Sequence, residues 1–142
     1  MMAEEMIVID DTVEISPHVA RRLEHEYVLW LTTTGADGTP QPNPVWFYWD
    51  GSAVQVYTMP NAVKLKNIAR NPRVSLHFEG ADVMGGDVII LYGLAEVQKD
   101  EKVHAGYTRK YLAAAEEWGR TPEELYKEYS VLIRIRITKV RT

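Results

Sequence analysis

The sequence predicts a mainly β, α+β domain in which six antiparallel strands close into a small barrel with helices at its margins. Three observations carry that prediction. Runs rich in apolar, β-branched and aromatic residues recur along the chain. Turn signals such as "GADGTP" and Asp50-Gly51 join the early runs as hairpins. Helix signals fall outside those hairpins, and the 142 residues suffice for one domain, 1–142, but not two.

The elements follow in order. Ser16 as N-cap and Pro17 at the first helical position open a helix, "HVARRLEHE", whose Val19 and Leu23 form a buried stripe. "YVLWLTTT", Tyr27 to Thr34, is a largely buried strand. The second strand, "QPNPVWFYWD", carries Pro42 and Pro44, which cannot donate to a ladder and mark an edge or a bulge. Its alternation sets Val45, Phe47 and Trp49 on one face and Trp46 and Tyr48 on the other.

"SAVQVYTM" is the third strand, and a short helix containing Lys64 runs from there to Asn71-Pro72. "RVSLHF" is the fourth strand, with Val74, Leu76 and Phe78 turned one way and Ser75 and His77 the other. After the loop "EGADVMGGD", "VIILYGLAEVQ" is a fifth strand long enough to bend at Gly93. Two helices, "KDEKVHAGYTRKYLAAAEEW" and "TPEELYKEY", precede a sixth strand, "SVLIRIRITKVRT"; Thr121 and Pro122 open the second helix.

Composition excludes whole classes of function. There are no cysteines, hence no disulfides, thiolate metal sites or cysteine nucleophiles. A net charge of −4 opposes non-specific nucleic-acid binding. No apolar run is long enough for a membrane span, and the acidic start "MMAEEMIVIDD" is unlike a signal peptide, so the cytoplasm is the expected location. The sequence holds no GxSxG, Walker, GxGxxG or HExxH motif, and His18, His25, His77 and His104 lack metal-ligand spacing. No metal is expected. If the protein is an enzyme, a cofactor carries the hard chemistry.

One stretch stands out, "TMPNAVKLKNIARNPRVSLHF". Lys64 and Lys66 sit in the first half of their helix, where unpaired backbone N–H groups and the helix dipole already favour an anion. Lys64, Asn67 and Asn71 are spaced to share a face, Leu65 and Ile68 turn inward, and Lys66 points elsewhere. Three readings follow from the residues: a solvated helix face, a nucleic-acid patch, or a socket for a phosphate on a small molecule.

The ordered set "LWLTTTGADGTPQPNPVWFYWDG", "AVKLKNIARNPRVSLHF", "GGDVIILYGLAEV" and "YSVLIRIRITKVR" resembles the pyridoxamine 5′-phosphate oxidase-like split β-barrel superfamily, and within it the probable F420-dependent enzymes. The likeness covers about 27–141. It implies a homodimer holding a ribityl-phosphate cofactor, F420 or alternatively FMN, and an oxidoreductase that passes a hydride to or from a small organic substrate. It also implies a binding role for Lys64, Lys66 and Asn67 at the phosphate, for Tyr57 and Thr58 beside the ribityl chain, and for Asn43, Pro44, Val45 and Trp46 along the ring. The resemblance names no catalytic residue. A non-catalytic flavin- or F420-binding protein is the alternative.

Overall fold

Seven strands form one sheet in the computed structural model, which describes residues 13–80, 83–98 and 103–142. In chain order they are β1 (Val28–Thr34), β2 (Pro40–Trp46), β3 (Tyr48–Trp49), β4 (Ala53–Thr58), β5 (Arg73–Phe78), β6 (Ile90–Gln98) and β7 (Val131–Arg141). The helices are α1 (Pro17–His25), α2 (Val63–Arg70), α3 (Ala105–Glu117) and α4 (Pro122–Glu128). The acidic N-terminal stretch, part of the loop before β6 and residues 99–102 of the predicted long helix lie outside the described residues.

The sheet order is β2-β1-β5-β6-β7-β4-β3, with every neighbouring pair antiparallel. Its two edge strands, β2 and β3, are consecutive in sequence, with only Phe47 between them. A flat sheet cannot satisfy that connection, so the sheet curls until its edges meet and β2 touches β4. The expected antiparallel barrel is therefore present, with seven strands where six were expected. The difference arises because "QPNPVWFYWD" breaks at Phe47 into two strands on opposite edges.

Tyr111 of α3 fills the break. Its hydroxyl accepts a hydrogen bond from the Phe47 N–H (2.8 Å) and lies within donating distance of the carbonyls of Tyr27 (2.7 Å) and Phe47 (2.8 Å). Backbone groups that lose their ladder partners at the corner thus find a side chain instead. Lys110 Nζ donates to the Phe47 carbonyl at 3.0 Å and lies 3.7 Å from the centroid of the Phe47 ring.

The alternating faces fall as the sequence implies. Val45 and Phe47 enter the barrel core with Leu29, Leu76, Leu91 and Ile135, and Trp49 packs against it. Trp46 and Tyr48 turn outward to a second apolar cluster with Tyr57, Tyr107 and Tyr111. Every residue of β4 is buried: Val54 and Val56 lie in the barrel core, and Tyr57 packs against Tyr107 and Tyr111 of α3. Pro40, Pro42 and Pro44 occupy alternate positions of β2, so their missing N–H groups share one side and the ladder to β1 is kept.

The bend expected at Gly93 is a register shift between Tyr92 and Gly93. A Cβ on Gly93 would lie 2.6 Å from the Arg136 carbonyl oxygen, so the β6–β7 approach there requires glycine. Ser16 caps α1 through the Val19 N–H, and Thr121 and Glu124 form a capping box on α4. α3 begins at Ala105, with His104 as its N-cap. None of the helices among the described residues is long and apolar enough to cross a membrane.

Candidate functional site

Where β2 and β4 meet the helices, a cavity of about 360 Å³ opens. One wall consists of Pro44, Val45 and Trp46 from β2, Tyr57 and Thr58 from β4, and Lys64 from α2. Tyr107, Tyr111 and Leu112 of α3, Trp118, and Leu125 and Tyr126 of α4 form much of the other. The volume lies within the range of small-molecule sites, and the lining has their usual character, apolar with a few polar groups.

Lys64 is the only charged residue among the described lining residues. It is half-buried and has no hydrogen-bond or ion-pair partner among the described residues. Burial holds its amino group below the usual lysine range. The helix it belongs to starts at Ala62 without a side-chain cap and with no acidic residue in its first turn. Lys64 thus brings an unpaired ammonium into an otherwise uncharged cavity from the first turn of a helix whose leading N–H groups have no side-chain cap. That end suits an anion.

Six of the nine residues singled out from the sequence thus line one cavity. Asn43, Lys66 and Asn67 do not belong to its lining. Lys66 is exposed on another side of α2, and Asn43 lies exposed on β2 opposite Leu31. Asn67, expected to share the Lys64 face, is buried to 1% exposure. Its Nδ2 donates to Thr33 Oγ1 (3.0 Å) and Gln41 Oε1 (2.8 Å), and its Oδ1 accepts from Arg70 Nη2 (2.6 Å). The bonds to Thr33 and Gln41 pin α2 to the β1–β2 hairpin and so fix which way Lys64 faces, while the Arg70 bond lies within α2.

A polar chain supports the β4 wall. The Tyr57 hydroxyl donates to Gln55 Oε1 (3.3 Å) and accepts from the His104 N–H (3.0 Å). Gln55 Nε2 donates to Asp50 Oδ2 at 2.8 Å. Burial pushes the Asp50 carboxyl upward, but N–H donors from Ser52 and Ala53, with the Gln55 and Ser52 side chains, outweigh it and hold the group below its ordinary value.

Sequence reasoning did not assign the helical wall to the site. Tyr107, Tyr111, Ala115 and Trp118 recur at the spacing of one helical face, a signal that reads equally as core. Gly106 lets α3 approach, since a Cβ there would overlap the Tyr48 ring. Thr108 and Tyr126 join α3 to α4 through their hydroxyls. Among the described residues, no group of three or more His, Cys, Asp or Glu could hold a metal ion.

A family model for pyridoxamine 5′-phosphate oxidase matches residues 15–142, and the chain belongs to that family. No curated protein matches it in sequence. Among solved structures, an F420 reductase is 25% identical with a TM-score of 0.67, covering 89% of this chain and 98% of the other. A conserved hypothetical protein of Mycobacterium tuberculosis is 22% identical, TM-score 0.69, covering 91% of this chain and 84% of the other. The heme storage protein HutZ of Vibrio cholerae is 16% identical, TM-score 0.63, covering 92% and 95%. The last two likenesses concern the fold alone.

Proposed function

We propose that this protein is an F420-dependent oxidoreductase, with FMN as the alternative cofactor, that transfers a hydride to or from a small organic substrate. The observation that carries the reading is Lys64, the one cation among the described lining residues and without a partner among them, in a cavity whose other described lining is aromatic, apolar and hydroxyl side chains. A ribityl-phosphate cofactor has the same polarity pattern, one anionic end and one planar ring. Family membership and the 25% identical F420 reductase support it.

In this reading Lys64 and the start of α2 hold the phosphate, as a charge-assisted hydrogen bond at a helix N-terminus. Lys66 and Asn43, which lie outside the cavity lining, make no contact with the ligand in this reading, and Asn67 acts through α2 rather than on the ligand. Tyr57 and Thr58 border the ribityl chain, and the Pro44–Trp46 segment borders the ring. The bound cofactor supplies hydride chemistry. The aromatic walls exclude water from the ring, and the hydroxyls of Tyr57, Thr58, Thr108 and Tyr126 orient it. A homodimer, with each site bordered by the second subunit, belongs to this proposal.

A non-catalytic binding role is the second reading, and one observation favours it. The described lining holds no carboxylate and no histidine to act as acid or base. Titrating the purified apo-protein with F420 and with FMN, and following cofactor fluorescence, separates the cofactors. The proposal expects binding of at least one of them at micromolar concentration. Binding of neither would overturn it, and binding without turnover over a panel of quinones and enones would favour the second reading.

A further inference from the structure

Five aromatic rings run in series along the cavity. Tyr57 and Tyr107 have centroids 4.6 Å apart, Tyr107 and Tyr111 5.0 Å, Tyr111 and Trp46 4.4 Å, and Trp46 and Trp118 6.4 Å. The series starts on the wall that also carries Lys64 and ends at Trp118, which is 54% exposed. Packing alone does not require a row of oxidisable rings to finish at the surface. We propose that Trp46 and Trp118 form a one-electron relay that carries oxidising equivalents out of the cavity to solvent.

The chemistry of the rings sets the direction. An oxidised tyrosine is stabilised by losing its phenolic proton to a base. Besides the Phe47 N–H that donates to it, the Tyr111 hydroxyl faces the backbone carbonyls of Tyr27 and Phe47, which are poor bases, and burial pushes its proton affinity upward. The electron vacancy therefore does not settle on Tyr111. Stacked on that ring at an interplanar angle of 9°, Trp46 is the next donor. Trp118 meets the Trp46 indole edge-on, and its exposure lets water take the indole proton once the electron has left. The Arg120 guanidinium lies 5.1 Å from the Trp118 ring, but Glu128 compensates its charge at 2.6 Å.

The steps balance. A radical oxidant in the cavity takes one electron from Trp46 and becomes its anion. Trp118 passes one electron to the Trp46 radical cation, releases its N–H proton to water and remains as a neutral indolyl radical. A soluble thiol then returns one electron and one proton, and two such thiols end as a disulfide. The chain contains no cysteine that could intercept the charge. The relay does not depend on which cofactor the cavity holds.

The test uses the apo-protein and azide radicals generated by radiolysis, followed by mapping of oxidised tryptophans by mass spectrometry. In the wild type, oxidation concentrates at Trp118 and leaves Trp46 largely intact. Trp118→Phe keeps a smaller aromatic ring that cannot be oxidised by azide radical, so oxidation of Trp46 rises several-fold. Trp118→Tyr, whose ring is oxidisable, keeps Trp46 close to its wild-type level. Trp30, on β1, serves as the internal reference and stays constant. Equal oxidation of Trp46 in the Phe and Tyr variants would overturn the relay and leave Trp118 as mere cover.

Discussion

Lys64 and Asn67 are three residues apart on one short helix, yet one opens into the cavity unpaired and the other is buried with three hydrogen bonds. About 60° of rotation around the helix separates them. Asn67 therefore acts as the fixed side of α2 and Lys64 as its free side. Asn67→Leu should destabilise the fold by about 1–3 kcal/mol, because Thr33 and Arg70 lose a buried partner. Lys64→Ala should change stability by much less than that, because the half-buried lysine has no hydrogen-bond or ion-pair partner among the described residues to lose. Urea denaturation of the two variants checks the contrast, and a large loss in Lys64→Ala would mean that the lysine is structural.

The Phe47 N–H at the β2–β3 corner depends on a single hydroxyl from a distant helix. Tyr111→Phe keeps the ring stacked on Trp46 but leaves the buried Phe47 N–H without its acceptor. A cost of about 1–3 kcal/mol is expected. Amide exchange at Phe47 should accelerate more than at Leu31, in the middle of β1. Unchanged exchange at Phe47 would show that another group holds the corner.

Lys110 gives the stability a pH dependence. Burial pushes its amino group down from 10.5 to about 8, with Glu26 acting in the opposite direction. Between those values the unfolded chain binds more protons than the folded one, so stability rises as pH increases across that window. Lys110→Met removes that slope. Thermal melts from pH 7 to 11 on both proteins provide the measurement, and parallel curves would contradict the shift.

Lys64 should show the reverse coupling to its ligand. Burial lowers its proton affinity in the free protein, and a bound phosphate raises it again. Phosphate-dependent binding should therefore weaken with rising pH before an ordinary exposed lysine would titrate. Lys66, which is exposed, serves as the comparison: Lys66→Ala should retain that pH profile, and Lys64→Ala should abolish it.

What was legible in the sequence was mostly what period and chemistry make local. The alternation in "VWFYW" placed Val45 and Phe47 inward and Trp46 and Tyr48 outward, since a two-residue period survives a break of one residue. The caps at Ser16 and Thr121 involve neighbours only, and they were readable for that reason. The break at Phe47 was not, because the group that satisfies it, Tyr111, lies 64 residues away. Helical spacing put Asn67 beside Lys64, but the partners that turn it inward, Thr33 and Gln41, come from another hairpin. The strand wall of the cavity was assigned through a family likeness, while the tyrosines of α3 carried no signal that distinguishes a site from a core.

FMN against riboflavin is the sharpest measure of whether Lys64 holds the phosphate of a ribityl cofactor in this cavity, because the two ligands differ by that phosphate. A charge-assisted contact of about 1.5–3 kcal/mol amounts to roughly ten- to a hundredfold in affinity. Fluorescence titrations of the wild type and Lys64→Ala with both ligands complete a double-mutant cycle. The wild type should prefer FMN to riboflavin by about that factor, and Lys64→Ala should bind the two alike. A preference for FMN that survives in Lys64→Ala, or equal binding of both ligands by the wild type, would contradict that role of Lys64.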